Sequence, residues 1–194
     1  MELLKFSKAN DQGKLKAIAE WIGYKPKVYS FSLPSGHTCP FALDCLSKAN
    51  RITGKITDGK HTLYRCFSAT TEAYSSTTRE QRWHNFDILR QLDFEDMVGV
   101  ISDSLPCDCD ICRTHVGGDF FNQKYFDAWM QVARLNPHIL FYAYTKSLPY
   151  WVARLGSIPS NFELTASRGG RYDHLIEQYN LKVAEVVFSL EEAE

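Results

Sequence analysis

CDCDICRTHVGGDFF (residues 107–121) marks the point where the chain changes character. Before it lie a long polar, cysteine-bearing segment and a run of helical patterns. From residue 112 onward, short apolar runs alternate with amphipathic ones. Strand 112–116 is followed by helix 123–135, strand 139–144 by helix 147–155, strand 162–166 by helix 172–179, and strand 183–188 ends the series. Strands alternating with helices of this length predict right-handed βαβ units and a parallel sheet.

Working outward to the N-terminal side, residues 13–22 carry apolar side chains at helical spacing and stop at Gly23, which predicts a packing helix. Residues 27–34, KVYSFSLP, alternate and close on a Pro-Ser-Gly turn, giving the first strand. Residues 36–66 have weak periodicity, glycine turns at Gly54 and Gly59, and three cysteines. So long a loop inside a compact domain points to function or to wrapping around a ligand, and a bound metal is expected to supply its order. Residues 68–92 read as one or two helices with Trp83, Phe86 and Leu89 on one face, and 93–104 as a helix capped by Asp93. The expected fold is α/β: one domain over 1–194, with a parallel, partial TIM-barrel-like sheet and the cysteine loop after its first strand. At 194 residues the chain is shorter than the roughly 250 of a complete eight-stranded barrel.

Lys and Arg number 22 against 23 Asp and Glu, so no global basic field recruits nucleic acid. No apolar run approaches the roughly 18 residues of a spanning helix, and MELLKFSKANDQGK has no signal-peptide core. The expectation is a cytoplasmic protein without membrane partners. In a reducing compartment its six cysteines are expected to be ligands or buried thiols rather than disulfides.

Cys39, Cys45 and Cys66 share the loop, and thiolates favour soft metals, so an iron-sulfur cluster, 4Fe-4S in type, is the expected occupant; zinc and unligated thiols are the alternatives. Cys107, Cys109 and Cys112 are the candidates for a fourth ligand, but they precede their strand. In a parallel sheet that places them about 20 Å from the loop, at about 3.3 Å per strand residue. His37 or a bound small molecule could close the site instead, and CDCDIC could be a separate metal site or a set of idle thiols. Gly117 and Gly118 let backbone approach a ligand, and Asp119 could receive an amino or hydroxyl group. Arg113 and His115 on one face of a buried strand need partners. Tyr144, Lys146 and Ser147 end one strand and Arg168, Gly169 and Gly170 the next, where open N–H groups at a helix start favour an anion. The expected catalytic set is Arg113, His115, Asp119 and Lys146. There is no GxSxG elbow, P-loop, HExxH helix or dinucleotide GxGxxG.

LPSGHTCPFALDC, YRCFSATTEAY, RWHNFD, RTHVGGDFF, FYAYTKSLPYWV and LTASRGG together resemble the phage gene product 88 family over about residues 32–188. That resemblance implies a phage or prophage source, hence host cytoplasm, and no settled activity. A looser likeness is to radical S-adenosylmethionine enzymes, in which a partial barrel carries a three-cysteine cluster loop. It would put Cys39, Cys45 and Cys66 at the cluster and Gly117, Gly118 and Asp119 at the methionine amino group of S-adenosylmethionine. The spacing departs from the CxxxCxxC of that superfamily. The functional expectation is therefore a cluster protein acting by redox or radical chemistry on a small or nucleotide-like ligand. The alternatives are a cluster-dependent or zinc-stapled module that binds nucleic acid or a host protein.

Overall fold

Each strand of the main sheet lies beside the one that precedes it in the chain. The computed structural model describes residues 2–8, 24–189 and 191–193. The six-stranded sheet runs β1 (Ser7–Lys8), β2 (Val28–Phe31), β5 (Ile111–Thr114), β6 (Leu140–Thr145), β7 (Phe162–Ser167), β8 (Val183–Ala184). β1 pairs antiparallel with β2, and every later pairing is parallel, with Val28 opposite Ile111, Ile111 opposite Leu140 and Phe141 opposite Phe162. The fold is thus α/β around a mostly parallel sheet, and the carboxyl ends of β2, β5, β6 and β7 share one edge. The helix expected over 13–22 lies outside the described residues. Among the described residues no helix is long and apolar enough to cross a membrane.

Four helices of some length pack around this sheet: α1 (Phe67–Tyr74), α2 (Ser76–Leu89), α3 (Phe94–Ser104) and α4 (Gln123–Leu135). The starts of the last three are written in the sequence. Ser75 accepts from the Thr78 N–H at 3.1 Å, Asp93 from Asp96 at 3.0 Å and Asn122 from Tyr125 at 2.8 Å, each satisfying a donor that the helix leaves open. Glu95 and Asp96 add negative charge where the α3 dipole is positive. α4 buries Tyr125, Phe126, Trp129, Met130 and Ala133 against Phe31, Phe141 and Phe162 of the sheet, and this aromatic layer is the core. After β6 come the short α5 (Leu148–Val152), with proline in its first turn, and a 3-10 turn at Leu155–Ser157 in place of a helix continuous to 155. α6 (His174–Gln178) follows β7.

Residues 36–66 take order from contacts within the chain. They contain their own hairpin, β3 (Ser47–Ala49) with β4 (Ile56–Asp58). Asn50 Oδ1 accepts from the N–H groups of Ile52 and Thr53, both at 2.9 Å, and Gly54 at φ 72° closes the turn, a conformation glycine adopts without cost. Ala42 bridges Gly170, and the Gly169 carbonyl accepts from Leu43 and Asp44. Arg79 of α2 donates to the carbonyls of Arg51, Ile52 and Glu72. Backbone pairing and a buried guanidinium supply the order that the sequence suggested a metal would give.

Candidate functional site

At the carboxyl edge of the sheet a half-open cleft of about 160 Å3 lies between the cysteine segment and the ends of β5 and β6. That is room for on the order of ten water-sized positions. Cys39, Cys45 and Cys66 form one wall, with Tyr64 and Phe67; Gly117 and Gly118 lie along the floor; Arg113, Asp119, Tyr144 and Lys146 form the other side. Cys107, Cys109 and Cys112 do not reach it. Strand direction had separated the two thiol groups, and the structure keeps them at different ends of β5.

The shared cleft does not make the three thiols a metal site. Among the described residues no group of three or more His, Cys, Asp or Glu side chains is placed to hold a metal ion. Burial pushes the Cys39 thiol well up, the nearby Asp119 adding to it, and Cys39 Sγ accepts the Gly36 N–H at 3.3 Å. Burial also raises Cys45, partly offset by Lys146. Because no such metal-holding group is present among the described residues, the expectation of an iron-sulfur protein, with a 4Fe-4S cluster and a fourth ligand among Cys107, Cys109 and Cys112, is corrected, and so is the zinc-stapled alternative. These cysteines sit in a loop, at a turn and at the N-terminus of α1.

On the opposite wall most polar groups are used internally. Asp119, 5% exposed, accepts from Thr145 Oγ1 at 2.6 Å, from its neighbour Phe120 N–H at 2.8 Å and from Lys146 N–H at 2.8 Å. Burial raises its carboxyl pKa against these donors. Asp119 therefore ties the turn after β5 to the end of β6. Lys146 Nζ donates to Ser167 Oγ at 2.8 Å, to the Ser167 carbonyl at 3.0 Å and to the Arg168 carbonyl, which occupies all three of its N–H groups. Ser147 Oγ donates to the Phe120 carbonyl at 2.9 Å. At Gly169 and Gly170 the two N–H groups do face an anion, but it is the chain's own Asp173, at 2.7 and 2.9 Å. Arg168 pairs with Glu177 at 2.7 Å and Glu185 at 3.3 Å, outside the cleft.

β5 ends at Thr114, so the alternation that put Arg113 and His115 on one face stops between them. His115 has φ 71° and packs its ring edge-on to Phe120, with centroids 4.6 Å apart, while Nε2 meets Tyr125 Oη at 3.0 Å. Burial, and then the Arg113 charge, push its pKa down to about 3. Arg113 and His115 both line the cleft. The Arg113 guanidinium carbon lies 5.5 Å from the Tyr144 ring centroid, a cation–π arrangement. Its buried Nε has no hydrogen-bond partner, and among the described residues no carboxylate lies within ion-pair distance of it.

Beneath the floor lies a buried ion pair that sequence reading missed. Arg82 Nη1 is 2.6 Å from Glu72 Oε1, with side chains 6% and 0% exposed. The same nitrogen donates to Ser68 Oγ at 2.8 Å, and Glu72 Oε1 also accepts the Ser35 N–H at 2.8 Å. The face of α2 that goes inward is Arg79, Arg82, Asn85 and Leu89, whereas Trp83 and Phe86, expected on it with Leu89, are half-buried. Positions 79, 82, 85 and 89 have helical spacing, but three are polar, so hydrophobic periodicity marked only Leu89 among them.

Gly117 and Gly118 are required by this packing. A Cβ on Gly117 would run into Ser68 Oγ and the Arg82 guanidinium, and one on Gly118, at φ 80°, would lie 2.5 Å from Thr38 Oγ1 and 2.7 Å from Leu33 Cβ. Gly118→Ala is expected to destabilise by about 2–4 kcal/mol, from left-handed strain together with overpacking. Chemical denaturation measures it, and a loss under about 0.5 kcal/mol, the level of an ordinary surface change, would contradict the packing described.

A profile of the family described as Gene product 88 matches residues 3–194. Two curated proteins, the Gene 88 proteins of Mycobacterium phage L5 and Mycobacterium phage D29, are 30% and 29% identical to the chain over 128 residues. The matched stretch is 60% of this chain and 47% of each relative, so the chain spans about half the length of the curated relatives it matches. No solved structure matches the chain. The resemblance carried by LPSGHTCPFALDC and its companion blocks is therefore correct, while the likeness to radical S-adenosylmethionine enzymes has no support in a cluster site or in a relative.

Proposed function

The chain belongs to the Gene product 88 family, and for it we propose that the cleft binds a small or nucleotide-like molecule through a carboxylate or phosphate held by Arg113. The observation that carries the reading is the Arg113 guanidinium: it lies over Tyr144, its Nε is buried and unpartnered, and it has no carboxylate beside it. An arginine left so at a strand end is set for planar, two-toothed recognition of an oxyanion. Lys146, in contrast, is spent on the Ser167 and Arg168 carbonyls and the Ser167 hydroxyl and serves to hold the β6 and β7 ends together. Tyr144, Tyr64 and Phe67 give flat apolar surface for a ring. In this reading the in-order parallel strands curve as a partial barrel, and the ligand sits beyond their carboxyl ends as in other parallel α/β folds. The near-zero net charge and small cleft favour a single small anion over a polymer.

The test is titration calorimetry with a nucleoside monophosphate, the matching nucleoside and inorganic phosphate, on the wild type and on Arg113→Gln. The monophosphate is expected to bind at least tenfold tighter than the nucleoside, and Arg113→Gln to erase that difference, since one charged hydrogen-bonded contact is worth about 1.5–3 kcal/mol. Equal affinity for the two ligands, or a variant that binds like the wild type, refutes the proposal.

A further inference from the structure

Successive residues along β6 and β7 meet different surroundings. Phe141 and Ala143 of β6 and Phe162, Leu164 and Ala166 of β7 join the core with Trp129 of α4, Trp151 of α5 and Ile176 of α6. Right-handed crossovers between strands that follow in order put all three helices on that one face. The residues in between, Leu140, Tyr142, Tyr144, Glu163 and Thr165, are exposed or half-buried, Tyr144 at 44%. A parallel sheet usually has both faces covered, and two tyrosines on a half-open one leave aromatic surface for another molecule.

Strand register sets out what this face offers. Arg113 of β5 stands opposite Tyr142 of β6, Tyr142 opposite Glu163 of β7, and Tyr144 opposite Thr165. Paired residues point to the same side, so Arg113, Tyr142 and Tyr144 share the open face. The two tyrosine rings are 6.4 Å apart at 83°, and the Arg113 guanidinium lies over the ring of Tyr144. Arg113 and Tyr144 also line the cleft, which makes cleft and face continuous, while Tyr142 lies beyond the cleft lining.

We infer that the open face of β6 is the base subsite of a nucleotide, with the base stacked on Tyr142 next to Tyr144 and the phosphate at Arg113. The inference rests on the reading of Arg113 given above and adds the class of ligand. Tyr142 stands one strand from Arg113, about 5 Å, and Glu163 two strands, about 10 Å, a span that a pentose between phosphate and base covers. A base has an apolar ring face and polar edges. The tyrosine rings match the first, and the Thr165 hydroxyl and Glu163 carboxylate on the next strand match the second. A simple carboxylate or phosphate would leave this surface unused.

The test is titration calorimetry with a nucleoside monophosphate and with ribose 5-phosphate, which lacks the base, on the wild type, Tyr142→Phe and Tyr142→Leu. The monophosphate is expected to bind at least about tenfold tighter than ribose 5-phosphate to the wild type and to Tyr142→Phe, the usual scale of one base on one aromatic ring. Tyr142→Leu keeps apolar bulk without a flat ring; it is expected to lose most of that gap and to bind ribose 5-phosphate like the wild type. A near-ultraviolet dichroism spectrum like that of the wild type qualifies each variant as folded. Equal affinity of the wild type for the two phosphates overturns the inference, and leaves the Arg113 reading standing if both bind tighter than the nucleoside. A gap that folded Tyr142→Leu retains also overturns it, by placing the base elsewhere, such as on Tyr64 and Phe67 of the thiol wall. If neither phosphate binds, the Arg113 reading fails and the base subsite with it.

Discussion

Arg82→Met is expected to destabilise the chain by about 3–5 kcal/mol, because it leaves the Glu72 carboxylate at 0% exposure without its cation. The loss is not confined to one contact. Arg82 Nη1 also donates to Ser68 Oγ at 2.8 Å and to the Ser68 carbonyl at 3.1 Å, and Glu72 receives the Ser35 N–H. Ser35 and Ser68 both line the cleft, so the same pair that stabilises α1 against α2 also fixes the cleft floor. Glu72→Gln is expected to cost less, about 1–3 kcal/mol, since its amide keeps one acceptor for Ser35 and the buried charge left over is a guanidinium with the Ser68 oxygens still beside it. The double variant Arg82→Met with Glu72→Leu is expected to recover a large part of the loss, because a buried pair exchanged for apolar side chains is often close to neutral. Urea denaturation of the two singles and the double, read as a double-mutant cycle, measures the coupling. Additive losses would mean that the two side chains do not act as a pair.

How the sequence could reveal some of this and not the rest follows from which signals are local. Asp93 and Asn122 act on N–H groups three residues away, so the starts of the helices after them were legible to within a residue, whereas the break at Ser75 inside 68–92 was not located. The parallel strands were legible because their apolar runs carry their own period, although only Val183–Ala184 of the last expected strand pairs. The cysteine segment misled for the opposite reason. Its order comes from Arg79, from Gly169 and from a hairpin whose strands have three residues each, too short to show a period. Gly169 and Gly170 looked like a ligand's anion site, and the anion proved to be Asp173, only three residues beyond Gly170. Arg113, expected from strand parity to face the pocket, lines the cleft. The same parity selected His115, which also lines the cleft, though it is almost wholly buried and its ring packs on Phe31, Phe120 and Tyr125. Backbone sterics alone would not suggest a histidine there, although it is among the residue types that tolerate the left-handed region best.

That histidine sets the expected acid limit of the fold. With its pKa pushed from an ordinary 6.5 down to about 3, His115 is neutral in the folded chain at any pH above that value, whereas in the unfolded chain it takes up a proton below about 6.5. Between those two values the unfolded state binds more protons, so stability rises with pH through this window and is lost as pH falls through it. At full effect the slope is about 1.4 kcal/mol per pH unit, and over the window the total is several kcal/mol, an appreciable part of the stability of a domain. Protonation has nowhere to go: Nδ1 is buried without a partner, the ring is enclosed by Phe31, Phe120 and Tyr125, and the nearest charge is the cation of Arg113. His115→Asn keeps a residue tolerant of φ 71° and removes the titration. It is expected to be less stable than the wild type at pH 7, through lost packing and the lost contact to Tyr125, and to show a flatter stability profile between pH 6.5 and 4. The slope rather than the absolute stability is the diagnostic quantity. Equilibrium denaturation at several pH values measures it, with Asp119 contributing the opposite sign at the lower end because its folded pKa is raised. Equal slopes for wild type and variant would assign the acid sensitivity to other groups and place His115 in an environment that accepts its charge.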